Sequence, residues 1–546
     1  MAARYPGFLT KKVMMDAYTS QTTSTGVTYP EVNRLLKQYQ NEGALIMDYA
    51  GHGREYQLAT EAILRISDFQ TFTNKNLPLW ITASCDIMPF DGMAETIGES
   101  AVVNHKGGAV AFYGTTRTVY AAENKPLNIA YLKHVLSMDS EGKPMTIGEA
   151  QRLANNELIS TGSDRTTNKL QYSLLGDPAL RLNRPTMQIV IDDINGKQPG
   201  VDDITLKAGS TATVKGHVVS NGTKDTTFKG IVTATVRDTR ELITCKMNNK
   251  GETSEPFVFY DRPKTLYNGN DSVRGGEFQL TFAVPHDINY AEDNGLINTF
   301  AVNEDHTRLA HGAEEGFYLN GFEDAANDGI GPSIYCYLNS EDFTFGGEVN
   351  STPFFVAQIS DKDGINASGA GIGHDMTLII DGDTEKSYNL NDNFTFDYES
   401  YTSGQTYYAL PALSEGKHTL KFRAWDILNN SSTTTLDFVV KKSIQPNIVD
   451  VYATNNPARE STTFVVAHNF CGAELNLEID VMDASGRLLW STSKSETAAT
   501  NTMSQKWDLQ TDSGGKLNTG IYLYRIKLSS NGSSYASKTQ KLIIIQ

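Results

Sequence analysis

Between Ala44 and Asp86 the chain carries two short apolar runs, ALIMDYAGHG (Ala44–Gly53) and LPLWITASCD (Leu77–Asp86). Each ends on a reactive side chain: His52 between two glycines, and Cys85 behind small residues. Runs of this length and composition predict fully buried parallel strands. The segment between them is long enough for the crossover helix that parallel neighbours need. In an open parallel sheet, chemistry sits just beyond the carboxyl ends of the strands. As neighbours, the two strands would deliver His52 and Cys85 to one edge. A thiol is mostly protonated at neutral pH, and an adjacent imidazole can convert it to thiolate. Gly51 and Gly53 admit close approach of the backbone to a substrate. The N–H groups of Gly53 and Cys85 are then candidates for an oxyanion hole, in which one lost donor costs about 3 kcal/mol. A buried small cysteine and a structural histidine explain each residue singly. They do not explain a nucleophile, a base and oxyanion donors together.

The surrounding residues alternate helix and strand signals. Thr28-Tyr-Pro-Glu31 reads as a capping box with proline in the first turn. Val32, Leu35, Leu36 and Tyr39 follow at helical spacing, and Gly43 ends that helix. After Cys85, residues 86–93 read as a loop and 94–103 as a helix, with Glu95 and Glu99 on a solvated face. Residues 108–113 form a third strand, and Arg117 and Tyr120 beyond it either line the cleft or face solvent. Thr146-Ile-Gly-Glu149 opens another capped helix. His105 and His134 read as surface residues without partners. Repeated strand–helix units of this kind mean an α/β sandwich.

An apolar block ending in His52-Gly53, followed by one ending in Cys85, resembles the caspase-like superfamily of cysteine peptidases. Within it, YAGHG, ITASC, GGAVAFYGTTR (Gly107–Arg117) and YSLLGDPALRL (Tyr172–Leu182) resemble the gingipain family. The resemblance runs from about Tyr5 to Pro185. It implies that Cys85 is the nucleophile and His52 the general base. Units of this family begin well before the His block, so the chain is expected to be the C-terminal part of a longer protein. The group orienting His52 is expected upstream of Met1.

The 546 residues exceed one core, and the net charge of −17 argues against nucleic-acid binding. No apolar stretch is long enough for a transmembrane helix, and no signal peptide is visible after Met1-Ala-Ala-Arg. Cys85, Cys245, Cys336 and Cys471 show no CxxC spacing and fall in separate domains, so neither zinc nor disulfides are expected. The last three read as inert core residues. From about residue 186 the apolar period becomes two, with Gly, Asn and Asp turns, as in β-sandwiches. The expected organisation is an α/β caspase-like catalytic domain (1–185), two immunoglobulin-like β-sandwiches (186–330 and 331–441) and a final β-sandwich (442–546). Asp361, Asp363, Asp381 and Asp383 read as turn residues, with structural calcium as the alternative, although their spacing is not that of an EF-hand. No other cofactor is expected.

In the last segment, Asn455-Asn-Pro-Ala, IDVMDASGRLLW (Ile479–Trp490), NTGIYLYRIKL (Asn518–Leu528) and QKLIIIQ (Gln540–Gln546) resemble the sorting domains of type IX secretion cargo. That resemblance implies export and residence on the cell-surface side of a bacterial outer membrane. Together the resemblances imply a sorting peptidase/transpeptidase of that system. It would cut sorting domains from cargo proteins and pass the new carboxyl end to anionic lipopolysaccharide. It would dock on an outer-membrane β-barrel of the PorV type. A secreted gingipain-like endopeptidase and a non-catalytic adhesin or scaffold are the alternatives. The cleavage-site specificity is not legible.

Overall fold

The computed structural model describes residues 4–545 apart from 25, 249–250, 252, 325, 369–372, 445–446, 472, 499 and 531–532. The chain is multidomain and mostly β: one α/β unit is followed by β modules. The α/β unit is built on four strands, β1 (Ile46–Ala50), β2 (Leu79–Ala83), β3 (Ala111–Thr115) and β4 (Tyr172–Leu175), in the order β1-β2-β3-β4. The first three are parallel, and β4 returns antiparallel to β3. Helices α1 (Pro30–Glu42), α2 (Ile66–Thr71), α3 (Ile97–Val103), α4 (Ala121–Val135) and α5 (Ile147–Thr161) supply the two outer layers.

Side-chain alternation sorts the helices. Trp80 and Phe112 point into a core with Val32, Phe69, Ile97 and Ala101, which belongs to α1, α2 and α3. Leu79, Ile81 and Tyr113 point the other way, into a core with Leu127, Tyr131, Ile147 and Leu158 of α4 and α5. Because both faces are covered, β2 and β3 are buried at every position, the signature of a parallel sheet between helical layers. A polar pin joins α1 to the sheet: Gln40, fully buried, donates to the Gly108 carbonyl (2.7 Å) and accepts from Trp80 Nε1 (3.0 Å).

Two local readings change. Thr28 does not cap α1, whose N-cap is Tyr29 without a side-chain bond. Thr28 instead pairs with Gln21 in a short ribbon, Gln21–Thr23 with Gly26–Thr28, so strand pairing has claimed the capping hydroxyl. The helix expected over 94–103 is confined to α3, and Glu99 is not a solvated-face residue. Its carboxylate accepts from Thr96 N (3.0 Å) and Thr96 Oγ1 (2.7 Å), while Thr96 Oγ1 accepts from Glu99 N (3.3 Å), a full capping box. Thr146 does cap α5, through Glu149 N.

Beyond residue 186, an eight-stranded sheet folds over one core. The next module has sheets of four and five strands, and the last has sheets of three and five. One apolar cluster runs through the two middle modules, and Tyr267 stacks on Phe396 across them, with centroids 5.0 Å apart. The residues before α1 lie on the second module. Pro6 and Gly7 carbonyls accept from Asn298 and His311, and Asp16 accepts from Met247 N and Asn248 N. Cys245 and Cys471 are buried, Cys336 is half-buried, and none of the three is in a disulfide. Burial pushes the Cys336 thiol up to about 12, which keeps it protonated and inert.

Candidate active site

β1 and β2 pair in register from Ile46 with Leu79 to Ala50 with Ala83. Gly51 N donates to the Ala83 carbonyl (3.3 Å), which carries the pairing one step further. His52 lies two residues past Ala50 and Cys85 two past Ala83, so both leave neighbouring strands at the same level of the carboxyl edge. Cys85 continues the Leu79–Ile81 side of β2 and packs, half-buried, against the α4/α5 core.

Each turn is held by its own bonds. The His52 side is exposed, and its carbonyl accepts from Tyr49 Oη (2.6 Å) and Ala59 N (2.8 Å). Gly51 makes room for that brace, since a Cβ there would come within 2.6 Å of Tyr49 Oη. Gly53 then opens a small hairpin, pairing with Leu58. Bonded and non-bonded pairs alternate in an antiparallel ladder. The Ala59-to-His52 bond thus places Gly53 in a non-bonded pair, with its N–H turned away from the hairpin. A Cβ on Gly53 would land on Ser84 Oγ and Ile87 Cδ1. The His-Gly turn is therefore seated directly on the Cys85 turn.

The Cys85 turn is clamped to residues 115–119. Thr115 Oγ1 donates to the Ser84 carbonyl, Met88 N to the Thr115 carbonyl (2.9 Å), and Asp86 N to the Arg117 carbonyl (3.3 Å). Asp86 has φ of 48°, a left-handed conformation that costs a non-glycine residue strain and clusters at functional turns. Thr118 Oγ1 holds its carboxylate at 2.8 Å. The Cys85 thiol donates to the Val119 carbonyl at 3.3 Å. Arg117 pairs with Asp91 on the rim (3.0 Å), which holds the Asp91 carboxyl below its usual range. Tyr120 is exposed.

Sequence reasoning named His52, Gly53 and Cys85 as candidates but missed the residues that hold their turns, Tyr49, Thr115, Thr118 and Val119. It also missed that His134 pairs with Glu157 (2.7 Å) instead of standing free. Of the four turn aspartates, Asp361 and Asp363 meet a third, Asp426, with carboxylate oxygens within 4.8 Å of one another. Such a group could hold a divalent cation. Its members already accept from Asp363 N, Lys362, Leu428 N and Asn430 N, as turn residues do. Asp381 lies elsewhere, bonded to His418 (2.8 Å).

Residues 1–183 match the family model of Peptidase family C25. Among solved structures, dimeric latent PorU from Porphyromonas gingivalis is 35% identical, with a TM-score of 0.35. The match covers 81% of this chain and 41% of that one, so the chain spans well under half of that relative. The Arg-specific cysteine proteinase gingipain R is 15% identical, with a TM-score of 0.26, over 53% of this chain and 56% of that one. No curated protein matches the chain.

Proposed function

We propose a function from one premise: residues 1–183 of this chain are a domain of peptidase family C25, the gingipain family of cysteine peptidases. Cys85 is the nucleophile and His52 the general base. The observation that carries this reading is the β1–β2 register, which releases both residues at one sheet edge, with Gly53 seated against Ser84. The Cys85 thiol directs its proton to the Val119 carbonyl. His52 removes that proton, and Sγ attacks the substrate carbonyl. The Gly53 and Cys85 N–H groups receive the oxyanion, and protonated His52 hands its proton to the leaving amine as the acyl-thioester forms. Thr115 and Thr118 keep the Cys85 backbone in place during the attack.

The thioester then passes to an acceptor. We assign the chain to the sorting branch of the chemistry, as a type IX secretion sortase of the PorU kind. It cleaves C-terminal sorting domains from cargo and transfers the new carboxyl end to an amine on anionic lipopolysaccharide. The support is the module order: the peptidase unit is followed by β modules that end in one with sorting-domain motifs. On this reading the protein works on the cell-surface side of the outer membrane, docked on a barrel of the PorV type. No helix among the described residues is long and apolar enough to cross a membrane. Calcium at Asp361, Asp363 and Asp426 would be structural.

The test is Cys85→Ala in cells that use the secretion system. Cargo that retains its sorting domain and is not attached to lipopolysaccharide supports the sortase. Normal cargo processing overturns it, and cleavage of a peptide by the purified protein would then indicate a secreted endopeptidase. Co-purification with a barrel protein tests the docking, and its absence removes that part of the proposal.

A further inference from the structure

Where the α/β unit meets the second module, a cleft of about 360 Å³ is lined by Arg4, Tyr5, Arg184, Gln188 and His311 among others. Arg184 is 8% exposed. Its Nε is buried without a hydrogen-bond partner, and its Nη2 donates to a weak acceptor, Met138 Sδ, at 3.0 Å. No carboxylate pairs with it among the described residues, and burial lowers its pKa. Arg262 shows how this chain otherwise treats a buried guanidinium. Its side chain is largely inaccessible, and it reaches Glu315 and the Asp238 and Asn294 carbonyls.

A buried cation without a counter-charge is strongly destabilising. Guanidinium cannot escape by losing its proton. Beside it lies His311, whose Nδ1 is bonded to the Gly7 carbonyl (3.1 Å). Burial, the neighbouring Arg184 charge and this bond act on the ring together, and the net effect lowers its pKa. The titratable groups lining the cleft are Arg4, Tyr5, Arg184 and His311, with no acid among them, in a chain of net charge −17. A pocket of this make-up supplies what an oxyanion needs: a forked donor, a second cation and a polar rim.

We propose that this cleft is an oxyanion-binding site for a phosphate or carboxylate group, with Arg184 as its principal ligand. An anion there would neutralise Arg184 and relieve its push on His311. The bound state therefore holds the His311 proton more tightly, and binding strengthens as pH falls through the histidine range. Because residues of both modules line the cleft, occupancy also fastens them together.

The test uses the full chain and inorganic phosphate at fixed ionic strength, balanced with chloride, at pH 6 and pH 8. The wild-type melting temperature should rise saturably with phosphate, more at pH 6. Arg184→Met should lose the response. Its melting point without phosphate should equal or exceed that of wild type, because the unpaired charge is gone. A phosphate response in Arg184→Met equal to wild type overturns the site, as does a wild-type response no larger than that to chloride. If Arg184→Met does not fold, the His311 imidazole resonance of the wild-type chain decides. Phosphate must raise its titration midpoint, and an unmoved midpoint overturns the proposal. Acetate identifies the source: an equal response assigns a carboxylate, and a response to phosphate alone assigns a phosphoryl group.

Discussion

Gly53 is where the His52 and Cys85 turns touch, so it is the sharpest point at which to disturb them. A methyl group there must displace both Ser84 Oγ and Ile87 Cδ1. Overpacking of this kind costs about 1–3 kcal/mol. Because Ser84 precedes Cys85, the proposed nucleophile, Gly53→Ala should also lower kcat by about 100-fold. Denaturant melts and peptide-cleavage kinetics check both; an active, stable Gly53→Ala would mean that the turns do not bear on each other. Tyr49→Phe isolates the other support. It removes the bond to the His52 carbonyl, worth about 0.5–1.5 kcal/mol of stability. We expect kcat to fall while KM holds, because the lost contact orients His52, the proposed base, and touches no substrate. His52 and Cys85 were legible in the sequence because residue type and an apolar run suffice to flag a strand-end imidazole or thiol. Their supports were not legible. Thr115 and Val119 act through hydrogen bonds between strands and loops some thirty residues apart, and those follow from register, which no local pattern encodes. Tyr49 was closer to hand, but its ring reads as one more apolar strand position until Gly51 is seen to clear space for it.

Among elements, α3 ties the Cys85 loop to the sheet. Its Gly98 lies so close to Met88 that a Cβ would come within 2.7 Å of the Met88 Cβ. The helix is held at its start by the Thr96–Glu99 box. Thr96 is 1% exposed, so Thr96→Ala should cost about 1–2 kcal/mol. A urea melt of the first unit measures that cost, and cleavage rate should fall with it as Met88 loses its backing. A change under 0.5 kcal/mol would show that packing alone sets this helix. The capping boxes expected at Thr28 and Thr146 differ in outcome for a physical reason. Thr146 has no strand competing for its hydroxyl, whereas Thr28 is drawn into the ribbon with Gln21. The box at Thr96 escaped notice because Glu95 and Glu99, one turn apart, fit a solvated face equally well.

For the molecule as a whole, the change of apolar period near residue 186 announced the β modules, but not how they pack. One trace of packing was present in Phe354–Ser360, where four successive residues, Phe354 to Ala357, are buried. Phe355 and Ala357 face their own core, while Phe354 and Val356 meet Cys471 of the last module. The docking corner is residues 468–471. The Cys471 carbonyl accepts from Thr352 Oγ1 (2.8 Å), and Phe470 N donates to His468 Nδ1 (3.2 Å). Beside it, Asn501 donates to the Asn339 carbonyl (2.9 Å). Exposed pairs from the last module to the first, Lys106–Glu474 and Lys75–Glu496, add little, so the corner carries the attachment. His468 makes that corner sensitive to acid. It is fully buried, its Nε2 has no hydrogen-bond partner among the described residues, and burial, partly offset by Glu496, pushes its pKa down to about 4. The ordinary value is 6.5. Between those values the unfolded or undocked chain takes up a proton that the native corner refuses. The stabilisation is therefore complete above pH 6.5 and lost as pH falls towards 4, by about 3 kcal/mol in all. Trp490 and Trp507, stacked in the same module, report its melting by fluorescence. The midpoint should drop between pH 7 and pH 4.5, with protease cleavage near residues 441–447 rising in step. His468→Asn, which keeps an acceptor for Phe470 N, should flatten that dependence. If the variant and wild type lose stability equally with acid, another group is responsible and the corner is not the switch.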